Sequence, residues 1–349
     1  MRRATARRRR MVAGIAALVL VGTVAYGASR LGGSAGDDPI GPTAAGPAAP
    51  ASELLVLQVE GTADPLLAVI GARRGDRAAA FFSVPFDLML TVPGQGEATA
   101  TEVAGLDPTT IRVALSNTFG AWASHVARFD LDGLARVVDR AGGLRVRVPG
   151  FYVTDAGNLG PGAKELTGAQ VAALLQVQED GAEARWSSVV QALLRQPVRL
   201  GEEDLAESDG LAGVRRVLRG ARGAAIAAFP TTTVAGTVMV PLQPNLDRAV
   251  AEAFGVRTPV PVIVENGVGT PGLGEDVAAL LLPLGFRVVL SQNADLFGHE
   301  RTRVVANSDA AIRDARRVRN ALGVGRVRLS QVPSGIGDIT IVVGEDFTG

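Results

Sequence analysis

Side chains that commonly serve as nucleophiles, proton carriers or soft metal ligands are scarce in this chain. Its 349 residues contain no cysteine and two histidines, His125 and His299, which lie far apart in the sequence. The lack of cysteine excludes disulfide bonds and thiolate metal sites. Two distant histidines also exclude a histidine-rich metal site and argue against a Ser-His-Asp hydrolase. Carboxylates and arginines remain, and these residue types suit divalent cations and phosphate groups.

Two aspartates and one arginine are the candidate site residues. Asp64 stands just before an apolar run of strand length and Asp87 just after another, so both can point to the same edge of a sheet. Each aspartate has an ordinary alternative as a turn or helix-capping residue. Arg185 begins a helical stretch, where a solvated side chain is expected more often than a lone phosphate ligand.

Two further motifs are better explained by structure than by ligand binding. Four glycines within residues 267–274 follow a predicted strand and open a helix, but their spacing differs from a dinucleotide fingerprint and Pro271 interrupts them. The arginine-rich helix at 312–319 has acidic neighbours, which is typical of a solvated face. Without six N-terminal arginines, the body has 29 basic against 35 acidic residues. We therefore expect no nucleic-acid partner.

The N-terminus predicts a membrane anchor. Six arginines precede the uncharged apolar run Met11–Ser29, and Arg30 closes it. A bilayer core requires roughly 20 apolar helical residues, and flanking arginines favour a cytoplasmic N-terminus. We expect a cytoplasmic tail at 1–10, a transmembrane helix at 11–29 and an extracytoplasmic body in a single-pass protein of the cell membrane. A cleavable signal peptide is the alternative, although residues 25–27 form only a weak cleavage site.

The rest of the chain divides into a linker and two α/β domains. Residues 30–51 are rich in glycine, proline and alanine and predict a flexible linker. Strands alternate with helices across residues 52–258, which indicates a layered α/β domain. After a proline-marked break, residues 259–349 follow the order strand, helix, strand, strand, helix, strand and one more strand. This order predicts the split βαβ, ferredoxin-like arrangement.

Residues 54–194 contain an ordered series of motifs that resembles one known family. The segments are Ala63–Pro65 for Ser-Asp-Thr, Ser83–Asp87 for Ser-Ile-Pro-Arg-Asp, Phe129–Leu144 for Phe-x-Gly-Phe…Val-Asp-x-Leu-Gly-Gly-Val, and Leu166–Ala172 for Leu-Asn-Gly-Glu-Gln-Ala-Leu. Together they resemble the LytR-CpsA-Psr (LCP) family of cell-wall ligases. Residues 260–347, with Val264-Glu265-Asn266-Gly267 and Val343–Phe347, resemble the LytR C-terminal domain.

The resemblance carries expectations about fold and chemistry. It implies an LCP-like α/β/α sandwich at 52–258, and an enzyme that moves a polyprenyl-diphosphate-linked glycopolymer onto peptidoglycan. It also implies that Asp64 and Asp87 hold a magnesium ion on the pyrophosphate and that Arg185 binds phosphate.

Departures from the family pattern weaken the enzymatic expectation. Phe86 replaces the arginine of Ser-Ile-Pro-Arg-Asp, and Gln176 and Gln178 stand in the segment where the family has Tyr-Val-Arg-x-Arg. In the later Arg-x-x-Arg-Gln motif, Arg185 alone survives. Each charge-assisted contact to phosphate contributes about 1.5–3 kcal/mol. Three such losses favour the turn or capping explanation for Asp64 and Asp87.

Two hypotheses follow. The first is a non-catalytic binding or scaffolding protein of the bacterial cell envelope, without a cofactor, that holds a polyprenyl-linked glycopolymer, peptidoglycan, a lipid carrier or another LCP protein. The second is an active Mg-dependent phosphotransferase with relocated arginines such as Arg73, Arg74 or Arg112. The arginine-rich composition, with Lys164 as the sole lysine, is typical of an actinobacterial genome.

Overall fold

The computed structural model describes residues 52–62, 65–73, 79–178, 180–197, 199–234, 238–330 and 335–349. The predicted tail, transmembrane helix and linker at 1–51 lie outside the described residues, as does Asp64. Within the described ranges, no helix combines the length and apolar character that crossing a bilayer requires.

The larger domain alternates strands and helices, as its hydrophobic pattern predicts. In chain order its elements are β1 (Ser52–Val59), β2 (Leu66–Arg73), β3 (Ala79–Val84), β4 (Met89–Val92), β5 (Gly96–Thr99), α1 (Ala100–Ala104), α2 (Pro108–Phe119), β6 (Ala123–Phe129), α3 (Leu131–Arg140), β7 (Leu144–Val148), β8 (Tyr152–Thr154), β9 (Gly157–Leu159), β10 (Gly162–Leu166), α4 (Gly168–Gln176), α5 (Ala182–Arg195), β11 (Glu207–Ser208), α6 (Leu211–Gly220), β12 (Ala225–Ala227), β13 (Thr231–Val234), β14 (Val238–Pro241) and α7 (Gln243–Phe254).

Short polar signals in the sequence set where these helices begin. Asp130 caps α3, its carboxylate accepting a hydrogen bond from the Gly133 amide at 2.5 Å. Thr167 and Gln170 form a reciprocal capping box at the start of α4, which satisfies backbone amides that lack partners within the helix. The predicted helices at 130–139 and after Thr167 are therefore confirmed.

A mixed sheet forms the middle layer of the larger domain. Over the described residues it has six strands in the order β11-β6-β1-β2-β3-β12. Successive side chains of a strand point to opposite faces, so Leu55 and Leu57 pack against α3 to α6 while Leu54 and Val56 pack against α1, α2 and α7. The predicted α/β/α sandwich is thus observed.

The smaller domain has its own five-stranded sheet, counted over the described residues. Its elements are β15 (Val260–Asn266), α8 (Leu273–Leu281), β16 (Phe286–Asn293), β17 (Arg303–Ala306), α9 (Ile312–Leu322), β18 (Arg326–Leu329) and β19 (Ile339–Val343). The element order matches the prediction, and helices α8 and α9 each connect two parallel strands.

The predicted split βαβ pairing is wrong. In a split unit another strand separates the two parallel strands, whereas here β15 pairs directly with β16, and β17 directly with β18. The order is β16-β15-β19-β17-β18, with the last strand in the centre. The physical reason is hydrophobicity: Ile339, Ile341 and Val343 are all fully buried, and the central position covers such a strand best.

The two domains pack against each other through helices of the larger one. The Asn117 side chain of α2 donates to the Val288 carbonyl and accepts from the Val288 amide, both at 2.8 Å. Val113, also on α2, is fully buried among the core residues of the smaller domain. The described parts of both domains belong to one compact unit.

Candidate functional site

Asp87 lies in a tight turn that follows β3. The turn is closed by a hydrogen bond from the Leu88 amide to the Pro85 carbonyl at 3.1 Å. The Phe86 carbonyl accepts from both the amide and the hydroxyl of Thr101, each at 3.1 Å. This anchoring at α1 presents the exposed Asp87 side chain at the edge of the sheet.

Glu183, which the sequence did not single out, lies near Asp87. It stands in the first turn of α5 and is half-buried. Burial raises the pKa of the Glu183 carboxyl above its usual value, and the negative charge of Asp87 raises it further. No arginine of the described residues opposes this shift. The site is therefore acidic, which disfavours binding of a diphosphate.

A metal site requires more ligands than the described residues bring together. Across those ranges, no group of three or more histidine, aspartate or glutamate side chains converges to hold an ion. Asp87 and Glu183 supply two carboxylates, and Asp64 lies outside the described residues. The described donor set alone therefore does not fit a magnesium ion, which wants a near-octahedral oxygen shell.

Arg185 is not solvated, contrary to expectation, because α5 turns its side chain into the core. The residue is fully buried, and its guanidinium donates to the carbonyl oxygens of Asp180 at 3.0 Å and Val177 at 2.6 Å. The Tyr152 ring lies 5.2 Å from the guanidinium carbon. Arg185 thus holds the loop that follows α4, the loop that also carries Gln178.

The neighbouring residue completes this inward-facing surface of α5. Trp186, which stands at the glutamine position of the family motif, is buried, and its indole nitrogen donates to the Leu67 carbonyl at 3.1 Å. Arg112, one of the candidate relocated arginines, forms an ion pair with Asp209 and lies 5.7 Å from the Trp122 ring centre. The side chains of Arg73 and Arg74 lie outside the described set.

A cavity of about 340 Å³ lies on the same side of the sheet as Arg185. Its lining contains eight apolar side chains from β1, β2, β6, α3 and α5, namely Leu57, Ile70, Phe129, Leu134, Val137, Val190, Leu193 and Leu194. Four arginines also line it: Arg199, Arg215, Arg219 and Arg222. Sequence reasoning missed these arginines, although three of them recur at helical spacing in 215–222.

Comparisons with known proteins identify both domains. Residues 259–347 match the family model described as LytR cell envelope-related transcriptional attenuator. The fold is similar to that of TagV from B. subtilis, with a TM-score of 0.50 and 14% identity over 60% of this chain and 98% of TagV. At this identity the likeness concerns the fold. No curated protein matches the chain.

Two other solved structures show weaker similarity. One is the LytR-CPS2A-psr family protein TagT, also known from B. subtilis, with bound octaprenyl pyrophosphate lipid: 16% identity, 59% of this chain, 91% of that chain and a TM-score of 0.46. The other is the LytR-Csp2A-Psr enzyme from Actinomyces oris: 17% identity, 58% of this chain, 89% of that chain and a TM-score of 0.42. The chain is thus a divergent LCP-type protein, in which a larger domain with the LCP fold precedes a LytR C-terminal domain.

Proposed function

We propose that this protein is a membrane-anchored, extracytoplasmic component of cell-envelope assembly that binds an envelope ligand or partner without catalysing phosphotransfer. The family model of the smaller domain and the LCP fold of the larger one support a role in the envelope. The arginine-flanked apolar run at 11–29 supports the anchor. The membrane itself and, through the bound ligand, peptidoglycan or a partner ligase are the expected neighbours.

The observation that carries the non-catalytic assignment is the pairing of Asp87 with Glu183. Phosphoryl transfer depends on cations that neutralise charge on the transferred and leaving groups. Here Phe86 occupies the family's arginine position, Arg185 is bonded to backbone carbonyls, and Glu183 adds negative charge. Such a site repels a diphosphate and stabilises no charge that develops on it.

The second candidate function is the Mg-dependent phosphotransferase. One observation favours it: the added carboxylate of Glu183 beside Asp87 is an oxygen ligand of the type that hard cations accept. In that case the raised pKa of Glu183 would fall when the ion binds. Titration with Mg²⁺ while the Glu183 carboxyl is followed by NMR distinguishes this alternative from the proposed function.

The decisive experiment is a turnover assay on the full-length chain with a polyprenyl-diphosphate-linked glycan, in the presence of magnesium or manganese. We expect glycan release at the background rate. Turnover in the wild-type chain that disappears in Asp87→Ala would overturn the proposal and establish a working enzyme. The exposed Asp155→Ala substitution, in the β8–β9 turn, is the matched control for loss of one carboxylate.

A further inference from the structure

The cavity described above is too large to be a packing defect. Protein interiors are close-packed, with few voids larger than a water molecule, whereas this space measures about 340 Å³ and falls within the range of small-molecule sites. Leu57, Ile70 and Phe129 of the sheet lie on one side of it, and α3 and α5 supply the apolar walls. The interior therefore suits a hydrocarbon chain.

The polar part of the cavity lining consists largely of arginines. Arg215, Arg219 and Arg222 follow the spacing i, i+4, i+7, which places side chains on one stripe of a helix. Arg215 is fixed by hydrogen bonds from its guanidinium to the Leu200 carbonyl. The other arginine of the lining is Arg199, on the loop after α5.

Three of these arginines are available to an anion. Arg199, Arg219 and Arg222 are exposed, and no carboxylate among the described residues forms an ion pair with them. The nearby acids Glu203 and Asp204 are bound to Arg140 instead, at 3.2 and 2.6 Å. The cavity thus joins an apolar interior to a cluster of unneutralised positive charge.

This arginine cluster lies at the far end of α5 from the acidic pair. Glu183 stands in the first turn of the helix and Leu194 in the last, and the eleven residues between them rise roughly 17 Å. A lipid whose head group sat beside Asp87 would direct its chain end towards the arginines, where a hydrocarbon is disfavoured. The opposite orientation places charge against charge.

We propose that the cavity binds one phosphate-headed amphiphile, with its hydrocarbon chain in the apolar interior and its phosphate against Arg199, Arg219 and Arg222. Guanidinium groups suit this head group because their forked donors match phosphate oxygens. The inference deepens the proposed binding function and rests on it. It also supplies a reason for the lack of turnover, since the bound phosphate is remote from Asp87.

The test measures binding of radiolabelled dodecyl phosphate to the full-length chain in phosphatidylcholine nanodiscs, with empty nanodiscs subtracted. We expect Arg219→Ala/Arg222→Ala to weaken binding roughly tenfold or more, since each charge-assisted contact contributes about a factor of ten. The matched control is Arg313→Ala/Arg316→Ala, which removes two exposed arginines from α9. Leu193→Trp, which fills the apolar interior, should weaken binding as well.

The competing probes separate lipid from free phosphate. Dodecanol should bind more weakly than dodecyl phosphate and be insensitive to the arginine substitutions, and inorganic phosphate should compete only weakly. Competition by inorganic phosphate as strong as by dodecyl phosphate would overturn the amphiphile assignment. Equal losses in the Arg219/Arg222 and Arg313/Arg316 variants, or a loss in Asp87→Ala alone, would overturn the location.

Turnover of the diphosphate-linked glycan, measured on the same preparations, separates this inference from the proposed function. Turnover combined with an intact effect of Arg219→Ala/Arg222→Ala would overturn the non-catalytic assignment and leave the arginine site standing. No turnover combined with arginine variants that bind dodecyl phosphate as the wild type does would overturn the site alone.

Discussion

Arg287 and Asp247 form a doubly hydrogen-bonded ion pair across the junction of the two domains. The guanidinium donates to the two carboxylate oxygens at 2.7 and 2.9 Å, and also to the carbonyl oxygens of Asn117 and Thr118 at 2.9 and 3.2 Å. Arg287 is 8% exposed. The pair therefore satisfies a nearly buried charge and links β16 to α2 and α7.

Removing one partner of this pair should destabilise the junction strongly. We expect Arg287→Ala to lower the free energy of unfolding by about 3–5 kcal/mol, because Asp247 is left buried without its partner. Urea unfolding of the full-length chain measures the change. Arg317→Ala, which removes an exposed arginine paired with Asp314 in α9, should cost about 0–1 kcal/mol. Equal losses in both variants would contradict the role given to the junction.

The smaller domain should fold by itself. A fragment of residues 259–349 contains its complete sheet and both helices that cover it, and we expect a cooperative thermal transition, at a lower temperature than in the full chain because Val113 and Asn117 are missing. Circular dichroism of the fragment is the measurement. A flat, gradual melt would show that the domain boundary at 259 is wrong.

Glu183 should make the protein less stable as the pH rises. A carboxyl whose pKa is raised by folding binds its proton more tightly in the folded state, so the folded state loses stability as the pH rises above the unfolded value of 4.5. Glu183→Gln should therefore raise the melting temperature at pH 7, with the gain vanishing at about pH 4. The exposed Glu165→Gln on β10 is the control. A gain that persists unchanged at the lower pH would contradict the electrostatic cause.

Arg185 should matter for stability rather than for phosphate affinity. Arg185→Ala leaves the carbonyls of Val177 and Asp180 without this donor, and each such buried group costs about 1–3 kcal/mol. We expect lower stability in urea with dodecyl phosphate binding retained under native conditions. Arg195→Ala, at the exposed end of the same helix, provides the comparison. Lost phosphate binding in a variant as stable as the wild type would return Arg185 to the family's role.

Restoring arginines at the family positions should create affinity for diphosphate near Asp87. Phe86→Arg with Gln176→Arg adds two guanidinium groups, and we expect tighter binding of a diphosphate lipid by roughly tenfold or more. Phe151→Arg with Val153→Arg, at exposed positions, adds the same charge elsewhere. Equal gains in both double variants would indicate a general effect of charge rather than a preserved site.

Local patterns predicted the elements of this fold well, and pairing over long distances less well. The alternation of Leu144–Val148 and the capping signals at Asp130 and Thr167 appear in the structure because they depend on neighbours in sequence. The central position of β19 depends on which strands compete for burial, which the order of elements does not specify. The split βαβ prediction failed for that reason.

The site was predictable only in part. Motif spacing indicated Asp87 and Arg185, but the approach of Glu183 to Asp87 joins residues 96 positions apart, and no local pattern encodes it. The inward turn of Arg185 was also missed, because the side chain is held by loop carbonyls rather than by a charge visible in the sequence. The arginines of α6 had a recognisable helical spacing, and this signal was available.

The two faces of the central sheet separate the two tasks of the larger domain. Leu57 and Ile70 point into the cavity, whereas the adjacent Val56 and Val69 pack into the opposite core, on the side where the smaller domain is attached through α2 and α7. A ligand can therefore enter and leave without breaking any contact of the junction. Whatever the smaller domain binds in the wall would stay at a constant distance from the loaded lipid, so that the chain acts as a spacer of defined length between them.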